Sequence, residues 1–360
     1  MKRYSETVLN GHPDKFCDLI ADRIIRQAYK TDNEAYAQIE VSVWSDQIFF
    51  TGAVATKQKC EIDLKKIVTE TGNEIGYTKE NHIDASRYKI LDLICRLTEP
   101  PQKWTNFVND QSVVIGYAGY DAKTRFLPPE HFAAWYFREQ VTRQLNETLE
   151  GHGPDGKILV ITEENSNDCR IRKILMTLQQ KEKYPFTDFT FECSCVLKNA
   201  FLKLKEHDKR WTGEWKEIEV MINPNGPLFN GGSDGDNGQT GRKLVMDYYG
   251  PRIPLGGGAL YGKDLSHIDR LGSYSARKFA LELVAKGSSE ALVSVCYAPG
   301  VNTPININIS SEVKPHTDPY DYFKFSEMHK QINCVDLQYD IYTLGTFYNP
   351  ELSFNCVNYN

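Results

Sequence analysis

Long apolar runs are missing from this 360-residue chain. No stretch approaches the roughly 20 consecutive apolar residues that a helix needs to span a membrane. The N-terminus, from Met1 to Glu6, is polar and lacks the apolar core of a signal peptide. We therefore expect a protein with no membrane partner and no secretory leader.

An excess of basic residues is also missing. The chain has 42 Lys and Arg against 48 Asp and Glu, so its formal net charge is −6 at pH 7. That balance gives no reason to expect nucleic acid as a partner. A site for a polyanion would therefore have to be a local cluster of basic residues.

Paired cysteine motifs are absent as well. The nine cysteines are scattered and odd in number, and none forms a C-x-x-C pair. Cys193 and Cys195 lie two apart, a spacing that places both on one face of a strand and does not resemble a zinc knuckle. The pattern predicts free thiols and a cytoplasmic protein.

Hydrophobic periodicity divides the chain into helices and strands. The composition, 41% hydrophobic and 25% charged, is that of a soluble globular protein with room for two or three domains. The pattern predicts helices at 13–29, 61–71 (stopped by Gly72), 128–149, 198–206 and 273–285, and strands at 39–43, 48–55, 157–162, 188–196, 291–297 and 305–310. Hairpins mixed with helices, without regular βαβ alternation, predict an α+β fold.

The segment Gly11-His12-Pro13-Asp14-Lys15 opens the first predicted helix. A helix N-terminus offers free N–H groups and a positive dipole end, so a phosphate can bind there. His12 could donate to a phosphate oxygen, Asp14 could hold a hard cation, and Lys15 could add positive charge. Taken alone, the segment is more typical of an ordinary capped helix start with a turn before it.

Two glycine-rich segments follow later in the chain. Residues 231–243 run from paired glycines through Asp236 to Arg242 and Lys243, and residues 256–270 contain three consecutive glycines, Lys263 and Asp269. Glycine lets backbone N–H groups approach an anion, and adjacent Arg and Lys suit a polyphosphate. Asp14 and Asp269 would be the metal pair, since magnesium near phosphates prefers one or two carboxylates. The three segments together favour polyphosphate with a divalent metal.

The same motifs resemble those of S-adenosylmethionine synthetases. The matching segments, in order, are Ser5-Glu6-Thr7-Val8, residues 11–15, Asp110-Gln111 with Gly116-Tyr117-Ala118, Asp155 with Lys157, Thr240-Gly241-Arg242-Lys243, Gly256-Gly257-Gly258-Ala259 and Gly262-Lys263-Asp264. The resemblance runs from about residue 4 to about residue 310. It implies a three-domain α+β fold with mixed or antiparallel sheets and helices on one face. We place the domains at residues 1–100, 101–218 and 219–360.

The resemblance also implies an activity and an assembly. In that family the methionine sulfur attacks C5′ of ATP and expels triphosphate, which is then cut to phosphate and pyrophosphate. The implied cofactors are two magnesium ions and a potassium ion. The implied partners are ATP, methionine or a related thioether, and a second copy of the chain in a homodimer or a tetramer.

Site roles follow position by position from the resemblance. The residues that assist the departing triphosphate would be His12, Lys157, Arg242, Lys243 and Lys263. ATP and substrate would be bound by Lys15, Asp110, Gln111, Asp155, Asp236, Glu99 and His267. Asp14 and Asp269 would hold magnesium, and Glu40 would hold potassium.

The departures from the family pattern cluster at the amino-acid end of the site. Ala53 stands where the family has the glutamate that binds the methionine amine. Glu99-Pro100-Pro101 replaces a Gln-Ser-Pro that touches methionine, and Glu99 is our candidate for the amine. Pro227-Leu228 replaces an Arg-Phe pair, His267 replaces a phosphate-contacting lysine, and the loop 109–112 is rewritten.

These departures leave three interpretations open. The chain is a methionine-using synthetase that compensates elsewhere, a paralogue that alkylates another thioether or nucleophile, or a nucleotide-binding pseudoenzyme. The intact metal pair and basic cluster argue against the last, because a binding module has little need of them.

Overall fold

The computed structural model describes residues 1–147, 149–165, 168–332 and 345–356, with only the backbone described at 145–147. The strands are β1 (Lys2–Val8), β2 (Tyr36–Trp44), β3 (Gln47–Thr56), β4 (Lys89–Thr98), β5 (Ser112–Gly119), β6 (His152–Glu164), β7 (Cys169–Gln180), β8 (Trp211–Thr212), β9 (Glu219–Ile222), β10 (Gly238–Gln239), β11 (Glu290–Tyr297) and β12 (Asn306–Ser311). The helices are α1 (Pro13–Thr31), α2 (Leu64–Ile75), α3 (Gln102–Thr105), α4 (Pro129–Glu147), α5 (Phe186–His207), α6 (Gly232–Gly235), α7 (Leu244–Asp247), α8 (Ile268–Ala285), α9 (Pro319–Tyr322) and α10 (Phe325–Gln331).

These strands form three sheets. The first has the order β1-β6-β7-β8, with β9 also paired to β7, and β7 runs parallel to both β8 and β9. The second has the order β10-β2-β3-β4, with β3 and β4 parallel. The third, β12-β11-β5, is antiparallel throughout. Each sheet joins strands from distant parts of the chain. The domain boundaries that we drew from the sequence therefore stay a prediction.

Helices cover the sheets and bury the core. Helices α4 and α5 pack on the first sheet, α1 packs on the second with α2 against it, and α8 packs on the third. Helix α8 approaches β5 closely at Gly116, where an added Cβ would lie 2.1 Å from the Ala276 carbonyl oxygen. This architecture confirms the α+β prediction with mixed and antiparallel sheets.

Helix α3 covers one end of the outer face of the second sheet, where Trp104 stacks on Tyr36, and apolar side chains are exposed toward the other end. Four large side chains on it are exposed by 41–68%: Trp44, Phe49, Leu91 and Leu93. Large exposed apolar patches are typical of interaction surfaces. None of the helices in the described ranges is long and apolar enough to cross a membrane.

The predicted strand at 188–196 is wrong, because this segment lies within helix α5. Phe189, Cys193 and Val196 are buried at helical spacing, whereas Phe191 and Cys195 point to solvent. Aromatic residues and cysteines at alternate positions imitate a strand over a short window, and the longer helical period decides the structure. The two cysteines therefore do not share a face.

The predicted stop of the second helix at Gly72 is also wrong. Helix α2 continues to Ile75, and Gly76 ends it in the left-handed conformation, with φ of 95°. Gly72 is needed for packing, since an added Cβ would lie 2.3 Å from the Cβ of Ala85. The eight cysteines in the described part of the chain are free thiols, and Cys334 lies outside it.

Candidate functional site

The N-terminus of α1 presents His12 and Asp14, both buried. His12 is the N-cap, and its Nδ1 accepts the backbone N–H of Asp14 at 3.2 Å. Because Nδ1 accepts, the ring proton lies on Nε2, which is left as a donor. Burial, followed by the charge of Lys243, lowers the pKa of His12 to about 3. The imidazole is therefore a neutral N–H donor at physiological pH.

The first glycine-rich segment closes over this helix start. Gln239 N donates to Asp14 Oδ1 at 2.9 Å, and Lys243 Nζ donates to Asp14 Oδ2 at 2.5 Å. Arg242 lies on the same carboxylate, with 3.5 Å between its Nε and Oδ1. Burial alone would raise the pKa of Asp14, but the bonds from Lys243 and Gln239 hold it below its ordinary value.

Strand β6 adds Asp155 and Lys157 to the same region. Gly232 N donates to Asp155 Oδ2 at 2.8 Å. Burial raises the pKa of Asp155 to about 6. The negative charge of Asp236 also raises it, whereas the positive charge of Lys157 lowers it. Lys157 is exposed, and no ion pair to it is found among the described residues. We call the set His12, Asp14, Asp155, Lys157, Asp236, Arg242 and Lys243 the α1 group.

The N-terminus of α8 repeats this arrangement. His267 is the N-cap, and its Nδ1 accepts the backbone N–H of Asp269 at 3.2 Å. Asp269 accepts from Lys263 Nζ at 2.6 Å and from Ser112 Oγ at 2.5 Å. Gly258 makes room for this carboxylate, because a Cβ there would lie 2.1 Å from Asp269 Cγ.

Two further carboxylates face the start of α8. His267 Nε2 lies 3.7 Å from Asp110 Oδ2. One ligand atom from each of Asp110, His267 and Asp269 lies within 4.8 Å of the other two, close enough for all three to bind one metal ion. It is the one group of three or more such residues in the part of the chain that the structure describes. Burial raises the pKa of Glu40, and the positive charge of Lys263 lowers it by a smaller amount. We call the set Glu40, Asp110, Ser112, Lys263, His267 and Asp269 the α8 group.

The two groups share no side-chain bond within the described residues, although the segments that carry them pack against each other around β2. Across the described ranges, no hydrogen bond or ion pair joins a side chain of the α1 group to one of the α8 group. Each group holds a capping histidine, an aspartate two residues later and a lysine on that aspartate. The two helix starts therefore carry matching sets of side chains.

Three predicted site residues lie apart from both sets. Lys15 turns into the interior, where its ammonium lies 2.8 Å from Asp18 and also contacts Asp247. Burial would lower the pKa of Lys15, but these carboxylates raise it. Glu99, at the end of β4, is ion-paired with Lys103. Gln111 is exposed, and its backbone N–H donates to Asp110 at 2.8 Å.

Sequence reasoning missed several residues that shape the site. Ser112 binds Asp269, and Asp22 forms a buried pair with Arg270 at 2.7 Å that ties α1 to α8. Tyr36 stacks on Trp104 with 5.4 Å between ring centroids. The position of Ser112, directly after Asp110-Gln111, could have marked it as a site residue. The pairs Asp22–Arg270 and Tyr36–Trp104 join residues too far apart in sequence for a motif to show them.

The carboxylates fit a hard divalent cation bound together with phosphate. Asp14 and Asp269 are buried oxygen donors, and each is held by an ammonium group that could also contact a phosphate oxygen. In the α1 group, three Lys and Arg are matched by three aspartates, and His12 is neutral. The side chains alone therefore do not neutralise a polyphosphate, and a divalent cation would complete the charge balance.

Comparisons with known proteins agree with this geometry. Residues 2–98 match the family described as S-adenosylmethionine synthetase, N-terminal domain, and residues 230–337 match S-adenosylmethionine synthetase, C-terminal domain. The chain is 31% identical over 332 residues to an S-adenosylmethionine synthase of Clostridium botulinum, covering 86% of this chain and 83% of that protein. It is 33% identical to the synthase of Azobacteroides pseudotrichonymphae over 332 residues, covering 85% and 76%.

A solved structure shares the whole fold. It is reported as an unusual S-adenosylmethionine synthetase from Campylobacter jejuni, with a TM-score of 0.85 and 22% identity. The match covers 99% of this chain and 97% of that one, and it confirms the synthetase-like fold predicted from the sequence. On its motifs, fold and relatives, the chain belongs to the S-adenosylmethionine synthetase family.

Proposed function

We propose that this protein transfers the adenosyl group of ATP to the sulfur of methionine or a related thioether. The observation that carries the proposal is the α1 group, in which Lys157, Arg242 and Lys243 surround a buried neutral His12 beside Asp14. Such a set suits a leaving group that is a polyphosphate. Family membership supports adenosyl transfer in general, and the identity of the acceptor is part of the proposal.

The reaction needs alignment and charge stabilisation more than proton transfer. A sulfur lone pair attacks C5′, the C5′–O5′ bond breaks, and its electron pair leaves with the triphosphate. The thioether carries no proton to remove, so no general base is required. Orientation and preorganised donors then supply most of the rate enhancement.

Each residue of the α1 group has a defined task in this scheme. His12 donates from Nε2 to the departing oxygen, which gains negative charge as the bond breaks. Lys157, Arg242 and Lys243 bind phosphate oxygens, with Arg242 able to offer two parallel N–H donors. Asp155 and Asp236 position the adenosyl end.

Asp14 and Asp269 would hold magnesium, and Glu40 would hold potassium. These carboxylates would hold a cation whose positive charge would offset the negative charge of the phosphates. Lys263 is ion-paired with Asp269, and its ammonium group would bind an oxygen of the same phosphates. The triphosphate would be cut to phosphate and pyrophosphate while bound by the same lysines and arginine.

We further propose that the active site forms between two copies of the chain. No hydrogen bond or ion pair joins the α1 group to the α8 group within the described ranges, and the exposed apolar side chains of the second sheet offer a surface for self-association. An isologous dimer would bring the α1 group of one copy to the α8 group of the other, twice. A homodimer is therefore the expected unit, with a tetramer as a pair of dimers.

Product analysis tests the proposal. The full-length protein, ATP, magnesium and potassium are incubated with methionine, then with other thioethers, and the products are identified by mass spectrometry and phosphorus NMR. We expect a sulfonium product with the mass of acceptor plus adenosyl, and phosphate with pyrophosphate or triphosphate. ADP or AMP as the product, or ATP binding without consumption in the presence of any acceptor, would contradict it.

A further inference from the structure

Three aspartates lie on one face of helix α1 at intervals of four residues. They are Asp14, Asp18 and Asp22, and each is at least 98% buried. Residues four apart on a helix project from the same side, so the three carboxylates form a row along α1. Asp14 belongs to the α1 group, whereas Asp18 and Asp22 lie outside both groups.

Each carboxylate of this row accepts one backbone N–H through its Oδ1 atom. The donors are, in order along α1, Gln239 N at 2.9 Å, Gly241 N at 2.8 Å and Gly262 N at 2.7 Å. The first two donors lie in the glycine-rich segment 231–243, and the third lies in the segment 256–270. One helix therefore holds both glycine-rich segments by the same kind of bond.

The bond from Gly241 to Asp18 fixes the turn before the two basic residues of the first segment. Gly241 has a φ of 76°, in the left-handed region that favours glycine. Thr240, directly before it, is bonded to β2, because its N–H donates to the Val41 carbonyl and its hydroxyl accepts from Val41 N, both at 3.0 Å. The backbone is thus held by α1 and by β2 at the point where the basic side chains begin.

The bond from Gly262 to Asp22 is part of a clamp on the second segment. On the other side of this clamp, Arg270 Nη1 donates to the Lys263 carbonyl at 2.6 Å. Arg270 Nη2 donates to Asp22 Oδ2 at 2.7 Å, so a single buried ion pair holds both ends of the dipeptide 262–263. The Lys263 side chain therefore starts from a fixed backbone and reaches Asp269.

Resting on the proposed function, we propose that Asp18 and Asp22 are positioning residues for the triphosphate. They act through the backbone of the glycine-rich segments, which carry Arg242, Lys243 and Lys263. A buried N–H that loses its acceptor has to move toward water or another acceptor, because leaving it unpaired is costly. That movement displaces the basic side chains and weakens the binding of a polyphosphate by about tenfold.

The first experiment separates the hydrogen bond from the charge at position 22. Oδ1 of Asp22 accepts from both Gly262 N and Arg270 Nη1, so an asparagine would keep its oxygen there. Asp22→Ala loses that acceptor, and both substitutions remove the negative charge. Inorganic tripolyphosphate with magnesium is titrated into each full-length protein by calorimetry, and KM for ATP is measured alongside. We expect Asp22→Asn to bind within about threefold of the wild type and Asp22→Ala at least about tenfold more weakly.

A second pair of variants keeps the test valid if an unpaired Arg270 prevents folding. Arg270→Gln removes the buried positive charge, and the two Asp22 substitutions are then compared in this background. The glutamine can donate to the Lys263 carbonyl, so the comparison again depends on the bond from Gly262. The dissociation constant describes the folded molecules, because an unfolded fraction lowers only the number of binding sites.

Asp32, the C-cap of α1, provides the matched control. Its carboxylate accepts from Glu34 N at 3.0 Å and from Lys57 N at 2.8 Å, so Asp32→Ala also frees backbone N–H groups. Neither donor lies in a glycine-rich segment. Asp18→Ala should bind tripolyphosphate at least about tenfold more weakly than the wild type. Asp32→Ala should bind it as the wild type does, even where urea denaturation shows that both variants are less stable.

The outcomes separate the inference from the proposed function. Equal dissociation constants for Asp22→Asn and Asp22→Ala, in the background that folds, would overturn the inference and leave adenosyl transfer standing. So would an Asp32→Ala protein that binds as weakly as Asp18→Ala, because general loosening of α1 would then explain the loss. A wild type that neither binds tripolyphosphate nor forms a sulfonium product would overturn the proposed function, and the inference with it.

Discussion

His12 and His267 occupy the same position in two different helices. Each caps a helix, accepts the N–H of the aspartate two residues later at 3.2 Å, and is at least 98% buried. Each aspartate is then bound by a lysine from a glycine-rich segment. In both histidines the acceptor role of Nδ1 places the ring proton on Nε2. The chain thus carries two matched imidazole donors at two helix starts.

The two functions of His12, as a cap and as a donor, can be separated. Asparagine also caps helices, so His12→Asn should change the free energy of unfolding by less than about 0.5 kcal/mol. It removes the Nε2 donor, and turnover should fall at least about tenfold. His12→Ala is the comparison, and it should lose about 1 kcal/mol of stability in addition. Thermal unfolding and steady-state kinetics provide both readouts; full activity in His12→Asn would rule out the donor role.

Lys15 should act through stability. Its ammonium is buried between Asp18 and Asp247, so Lys15→Met leaves two carboxylates without their partner. Removing one member of a buried ion pair typically costs about 3–5 kcal/mol. We expect a clear loss of stability in chemical denaturation. A variant of normal stability with a raised KM for ATP would show instead that Lys15 binds nucleotide.

His131 makes stability depend on pH. Burial lowers its pKa to about 3, against an ordinary value of 6.5, so the unfolded chain binds the proton more readily than the folded one. The free energy of unfolding should therefore fall as the pH drops below about 6.5. Between pH 7.5 and pH 5.5, His131 should lower the free energy of unfolding by about 1.4 kcal/mol. Urea denaturation should show that difference between the wild type and His131→Gln; equal pH slopes would contradict it.

The outer face of the second sheet should hold two copies together. Leu93 is 68% exposed on that face, and Leu93→Lys should shift light scattering from dimer toward monomer. Phe191→Lys is the matched control, because Phe191 is 70% exposed on α5. The control should remain dimeric. A dimeric Leu93→Lys protein, or a monomeric wild type with full activity, would refute this assignment.

Local signals in the sequence predicted much of the fold. Pro13 and the apolar spacing of α1, together with the β2–β3 hairpin, agree with the structure. Helix α5 was misread because Phe189, Cys193 and Cys195 imitate a strand over a short window. Local patterns succeed where one period holds over a whole element, and they fail where a short window fits both the strand and the helix period.

Long-range partners could not be predicted from the sequence. The contacts of Lys15 with Asp247 and of Asp22 with Arg270 join residues more than 230 positions apart. A motif such as Gly11–Lys15 shows which side chains could meet a phosphate, but the direction of Lys15 depends on these distant carboxylates.

Complementation between two variants tests the central claim that the α1 group and the α8 group are halves of one active site. Asp14→Asn and Asp269→Asn should each be almost inactive as homodimers, because each change damages both sites. The two chains, carrying different affinity tags, are coexpressed and the mixed dimer is purified. One of its two sites is then intact, so about half of the wild-type adenosyl transfer should return.

The control is a mixed dimer of wild type with the double variant Asp14→Asn and Asp269→Asn, in which each site receives one damaged half. The account predicts that this dimer is inactive while the complementing dimer, assayed in parallel, is active. The opposite pattern, with no activity in the complementing dimer and half in the control, would contradict a site shared between chains.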